Sequence, residues 1–457
     1  MKHYGDKKGR IIAVVVCFVL FAALLFGFLF RDKKLFLPPD GNQVSNNVLN
    51  NSGTKYGLTG NNFSSQYNYT NNEEYINDSE YENSLSGFGS VSKRSKTGRR
   101  SVGSGSSKQR KTDSQKTNTV SINSKKAESF KLTGSAKFTT AGLALLQGCD
   151  SADFNVTCAG SIKLVLSTEY AGGISVGVKV DNSNIQTYKI YKNTEITVAD
   201  NLKNGVHNIF IVRKNCGDLP LLSINKIILN GNIEKNAPGR SRLYIQSIGA
   251  TALTGLGADR DEDYYSKHNR SEWFDTSSAD ATFAYPFLTA QMMDADYSSV
   301  YKFETGIAGT NLIDKTRPVL PEIYNKLFPE NASENTIAPD IIVIDSGSSD
   351  AQEYPLKRKI NNKTVEISYM TALNQARDFL LSLKRRYPKV KIIWCYGLES
   401  GDPAIKSFAE NALLISDGEY RDMYSLKLPS AKRVMLPSKS EQQAAAKVLY
   451  NKIKEIS

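Results

Sequence analysis

The stretch IGATALTGLG, residues 248–257, decides how this chain is read. An apolar run enters it, and Gly249, Gly255 and Gly257 punctuate its exit. That is the pattern of a buried strand running into a tight turn, where α/β proteins place their chemistry. The spacing fits neither a phosphate loop, which requires Gly-Lys-Ser/Thr, nor the dinucleotide fingerprint G-x-G-x-x-G.

Working outward, LYIQSIG (243–249), PDIIVIDSG (339–347) and VKIIWCYG (390–397) are apolar runs that each end at glycine. Such runs mark strands buried on both faces of a parallel sheet. Helical patterns separate them. Tyr369, Leu373, Ala376, Leu380 and Leu383 form one stripe before RRYP stops the helix, and Ala445, Leu449, Ile453 and Ile456 form another behind a capping box read at Ser440 and Gln443. Residues 239–457 therefore read as a three-layer, flavodoxin-like α/β domain, whose ligands bind at the carboxyl ends of the strands.

Upstream the period changes to two. GISVGVKVDNSNIQTYKIY puts Ile174, Val176, Val178 and Val180 on one face and turns at residues 181–184. NGVHNIFIV opens on an Asn204-Gly205 turn signal and alternates through His207, Ile209 and Ile211; SIKLVLS and SINKIILNG add further strands. Residues 130–238 read as an antiparallel β-sandwich of jelly-roll type.

Residues 11–30, IIAVVVCFVLFAALLFGFLF, are uncharged and as a helix span roughly 30 Å, the thickness of a hydrocarbon core. The run ends directly in Arg31, Asp32, Lys33 and Lys34 with no small-residue cleavage site, so it reads as an uncleaved signal anchor, with residues 1–10 cytoplasmic and the rest extracytoplasmic. Residues 31–129 are Ser-, Asn- and Lys-rich, too poor in large apolar side chains to fold, and read as a disordered stalk. Between 91 and 126 eleven Lys/Arg face one Asp, which accounts for most of the chain's net charge of +12. The excess therefore belongs to a solvated tether able to touch anionic headgroups or wall polymer, and no aromatic interleaving points to nucleic acid. Cys17, Cys149, Cys158, Cys216 and Cys395 form no CxxC or Cys/His cluster, so no metal or other cofactor is expected; Cys149 and Cys158 are either bridged or two buried thiols.

The order of these segments resembles the SGNH/GDSL-type esterases, specifically the two-domain acetylesterases of carbohydrate esterase family two. LKNGVHNIFIVRK (202–214) is similar to that family's L-x-x-G-x-H strand. Residues 277–309, APDIIVIDSGSSD (338–350), RRYPKVKIIWCYG (385–397) and LPSKSEQQAAAKVL (436–449) follow in the family's order. The resemblance implies a serine nucleophile in a Gly-Asp-Ser turn, a histidine base in a C-terminal His-Pro segment, and an oxyanion hole built from the serine amide, a glycine and the asparagine of Gly-x-Asn-Asp.

Carried over by position, the nucleophile is Thr251, preceded by Ala250. The oxyanion glycine is Gly306, or Gly309 in the other register; the asparagine position holds Ser349 beside a retained Asp350; the histidine position holds Leu436, and its supporting aspartate is Arg433. Leucine accepts no proton, so the Thr251 hydroxyl lacks a general base. Of the three histidines, His3 lies before the anchor, His207 is on a sandwich strand, and His268 is the relocated base to examine. Ser247 sits too early, within the strand; Ser346 and Ser348 border the site with no base evident in the sequence. Trp273, Trp394 and Tyr396 are the aromatic candidates for stacking on sugar, and read equally well as core residues. The expectation is an anchored pseudoesterase binding extracellular polysaccharide or cell-wall glycan; the alternatives are an active acetylesterase using His268, and a structural surface protein.

Overall fold

The computed structural model describes residues 117–457, apart from 216–218, 261, 310–317, 330–336, 352–353, 361–362, 417–420 and 434. The 11–30 run, the stalk up to residue 116, Cys17 and Cys216 lie outside the described residues. Among the described residues no helix is long and apolar enough to cross a membrane.

The first domain is a nine-stranded antiparallel sheet of β1 (Asn118–Ser121), β2 (Lys131–Thr133), β3 (Lys137–Thr139), β4 (Gly142–Leu145), β5 (Ser151–Ser167), β6 (Ile174–Val180), β7 (Gln186–Ile190), β8 (Thr194–Arg213) and β9 (Leu222–Ile233). Alternation drives it. Ile174, Val176 and Val178 on β6, Ile209 and Ile211 on β8, and Phe154, Val156 and Leu164 on β5 enter one core. Two expectations are corrected. The domain starts before residue 130, because β1 pairs antiparallel with β9 (Asn118 opposite Leu229) inside the stretch read as stalk. Asn204-Gly205 also does not reverse the chain: β8 runs through it, and shifts in register against β5 between Cys158 and Lys163 absorb the irregularity. Cys149 and Cys158 are separate buried thiols.

The second domain carries a five-stranded parallel sheet built from β10 (Tyr244–Gly249), β11 (Asp296–Tyr301), β12 (Ile341–Asp345), β15 (Lys391–Tyr396) and β16 (Met423–Lys427), in the order 11-10-12-15-16; a hairpin of β13 (Leu356–Ile360) and β14 (Lys363–Ile367) stands apart. Its helices are α1 (Glu262–Lys267), α2 (Arg270–Trp273), α3 (Tyr285–Met292), α4 (Leu320–Leu327), α5 (Tyr369–Arg386), α6 (Pro403–Ser416) and α7 (Lys439–Ile456). The three glycine-terminated runs are the three inner strands, β10, β12 and β15. On one side of the sheet α4, α5 and α6 contribute Tyr324, Leu380 and Phe408 to a core; on the other, α3 and α7 contribute Tyr285, Leu449 and Ile453. Helix α7 starts two residues earlier than its sequence suggests. Ser438, rather than Ser440, is the N-cap, and the Glu441 carboxylate reaches back to the Ser438 amide at 2.8 Å.

The two domains share a core. Cys149 and Val212 of the first pack with Ile245, Tyr285, Tyr297 and Tyr301 of the second. Polar ties flank this seam: Lys214 Nζ lies 2.6 Å from Asp280, and the Ala281 amide donates to the Lys214 carbonyl at 2.9 Å. Lys131 pairs with both Asp153 and Asp296. Because the Lys214–Asp280 pair is nearly dry, removing one partner leaves a buried charge uncompensated. Lys214→Met is expected to lower stability by about 3 kcal/mol, read from urea unfolding monitored by tryptophan fluorescence.

Candidate functional site

The carboxyl ends of β10, β12 and β15 converge on the IGATALTGLG turn. After Gly249 the chain enters a 3-10 turn, Thr251–Thr254, and leaves it at Gly255. Gly255 has φ +66°, and a Cβ there would overlap the Asp280 carbonyl, so glycine is required. The turn is pinned from the neighbouring strand by the Ala250 amide, which donates to the Asp345 carbonyl at 3.0 Å.

Thr251 and Ser349 are brought together through one backbone unit. The Glu304 amide donates to Thr251 Oγ1 at 3.4 Å, and the Glu304 carbonyl accepts from Ser349 Oγ at 3.0 Å. Thr251 is only 1% exposed.

The Asp350 carboxylate is fully buried and accepts from three successive amides, Ile307 at 2.9 Å, Ala308 at 2.7 Å and Gly309 at 2.8 Å, and from Ser346 Oγ at 3.2 Å. Its carboxyl group fills the space a Cβ at Gly306 would need. The Gly306 amide donates to the Gly309 carbonyl at 2.8 Å. In either register, then, the glycine amide expected to face an oxyanion is already committed within the protein.

Leu436 is 3% exposed and belongs to a small apolar cluster with Leu256, Tyr265, Phe274, Ala279 and Phe303. Arg433 lies with its guanidinium 4.2 Å from the Tyr265 ring centroid and 5.7 Å from that of Trp273. His268 donates from Nδ1 to the Tyr264 carbonyl at 2.8 Å and stacks on the Tyr264 ring at 4.0 Å, an α1 contact rather than one to Thr251.

The aromatic expectations divide. Trp273 is part-buried, edge-on to Tyr265, with its indole N–H donating to the His268 carbonyl at 2.9 Å. Trp394 is core: it is fully buried, donates to the Ser346 carbonyl at 2.9 Å and meets Phe408 edge-on. Tyr396 is core as well, packed toward α6 with its hydroxyl 3.1 Å from Glu410. Both lie on an inner strand between helices, Trp394 fully buried and Tyr396 nearly so at its carboxyl end.

Sequence reasoning missed two carboxylates. Glu399, just after β15, accepts the Ala252 amide on Oε1 and Ser348 Oγ on Oε2 at 3.0 Å, while its own carbonyl accepts the Met435 amide at 3.1 Å. Asp345, the last residue of β12, accepts from Tyr285 Oη at 2.8 Å. The available signal was their placement at the ends of buried strands, where a carboxylate is costly unless paired. Burial raises both above the usual carboxylate range, and the Glu399 charge raises Asp345 further.

No family model and no curated protein matches this chain. Solved structures do. The family two carbohydrate esterase of Cellvibrio japonicus superposes with a TM-score of 0.60 at 16% identity, covering 75% of this chain and 98% of the esterase. The family two carbohydrate esterase of Clostridium thermocellum in complex with cellohexaose gives 0.59 at 14%, covering 72% and 98%. The acetyl xylan esterase Est2A of Butyrivibrio proteoclasticus gives 0.59 at 16%, covering 74% and 98%. The described chain thus has the two-domain SGNH fold of the family two carbohydrate esterases, as the order of its sequence segments implied.

The buried carboxylates set a pH dependence. A folded-state pKa above the unfolded value means the folded protein binds more protons above pH ~4, so this contribution to stability is full at low pH and fades as pH rises. Urea midpoints measured from pH 4 to 8 should therefore show wild type losing stability relative to Asp345→Asn as pH rises; a constant difference across the range would rule the pair out as its source.

Proposed function

We propose that this chain is a membrane-anchored, extracytoplasmic polysaccharide-binding protein on a carbohydrate-esterase frame, impaired at the inherited nucleophile position. The observation that carries this is the state of that position: the Thr251 hydroxyl is buried and held by the Glu304 amide. The residue standing for the base, Leu436, is packed in an apolar cluster. An alcohol without a base is a poor nucleophile near neutral pH, and here the glycine amides are spoken for as well.

Binding is supported by Trp273, a part-exposed ring held by Tyr265 and Arg433, since a flat ring of fixed orientation suits the face of a pyranose sugar. The similar Clostridium esterase was solved with cellohexaose, which makes a β-glucan the first ligand to try. The anchor is residues 11–30 and the tether is the basic stretch behind it; the antiparallel domain is read as a jelly roll between tether and site. His268, turned onto Tyr264, gives no support to a base relocated beside Thr251.

The test uses the full chain in detergent. Affinity electrophoresis through gels containing β-glucan or acetylated xylan is expected to retard wild type, and Trp273→Ala is expected to weaken retention at least about tenfold, the equivalent of one lost stacking contact. Hydrolysis of an aryl acetate that disappears in Thr251→Ala would overturn the impaired-nucleophile reading, and absence of retardation by any polysaccharide would favour a purely structural surface protein.

A further inference from the structure

Of the hydroxyls near the converged strand ends, Thr251, Thr254, Ser346 and Ser349 are buried, and Ser348 is part-exposed. Ser348 donates to Glu399 Oε2 at 3.0 Å, whereas buried Ser346 donates to Asp350, a carboxylate already taken up by three amides. The other side-chain oxygen of Glu399 is fixed by the Ala252 amide, which locks the carboxylate in place. An accessible hydroxyl, a base within hydrogen-bond reach and a group that orients the base are the geometric elements of an activated nucleophile.

We propose that Ser348 is a nucleophile toward small carboxylic esters, with Glu399 as its general base, held in place by the Ala252 amide. This centre differs from the Thr251 station and does not depend on glycan binding. In the first step Ser348 Oγ attacks the ester carbonyl carbon while its proton passes to Glu399 Oε2. Collapse of the tetrahedral adduct breaks the bond to the leaving alcohol, which takes that proton and departs. Water then attacks the acyl-serine, giving its proton to Glu399, and collapse releases the carboxylic acid and restores the serine hydroxyl. No oxidant, metal or second substrate is required.

The charge state suits the role. Glu399 accepts two hydrogen bonds, from the Ala252 amide and Ser348 Oγ, and both favour its carboxylate form against the burial that raises it.

The experiment incubates the full chain with an aryl acetate, quenches it, and maps acetylated peptides by mass spectrometry alongside steady-state rates. Acetyl on Ser348 is expected, with turnover abolished in Ser348→Ala and reduced at least about 100-fold in Glu399→Gln, the usual range for loss of a general base. In Glu399→Gln, introducing Ser348→Cys should restore acetylation, since a thiol needs less help from a base; this also shows that the variant is folded. Acetyl on any other residue, or turnover retained in Ser348→Ala, would overturn the assignment. Affinity electrophoresis of the same variants reads polysaccharide binding separately, so either idea can fail alone.

Discussion

The site is organised around one carboxylate. Asp350, at the end of the loop after β12, takes three consecutive amides of the loop after β11 and a serine hydroxyl of its own loop. A carboxylate with that many donors is held far more firmly than loop backbone alone would be. Its position fixes Gly306 beneath it and orders the loop that carries Glu304, and through Glu304 the spacing between Thr251 and Ser349. Burial pushes Asp350 upward in pKa while the four donors pull it down, so the group is costly unless every donor stays in place.

Around that fixed point the strand ends are used twice. One contact, from the Glu304 amide, holds the Thr251 hydroxyl in a buried position. A second, from Ser348 to Glu399, leaves a part-exposed serine beside a buried carboxylate. The same fold element therefore holds a sealed hydroxyl and an available one. Sealing needs apolar packing, whereas availability needs a polar partner that stays hydrated on one side.

The inner strands were legible because burial on both faces writes an unbroken apolar run, as in Ile341–Asp345, and glycine marks its end. The strand β11, DYSSVY, was not, because its serines are buried in pairs. Ser298 Oγ meets Tyr244 Oη at 2.6 Å and Ser299 meets Ser247 at 2.9 Å, and such pairing across strands leaves no hydrophobic trace. Thr251, Ser349, Asp350 and Leu436 were singled out by their order along the chain, and the structure joins Thr251 to Ser349 through Glu304. Glu399 escaped because its partner amide lies 147 residues away, and Trp394 misled because a strand residue's depth cannot be read from its type. Asn204-Gly205 is the reverse case: a strong local turn signal overridden by the pairing of two long strands.

The apolar cluster around Leu436 also limits what position 436 can hold. A histidine there would be desolvated among Leu256, Tyr265, Phe274 and Phe303, with its charged form suppressed. Giving this position a proton acceptor therefore means repacking its neighbours as well: the unit of change is the whole cluster rather than one side chain.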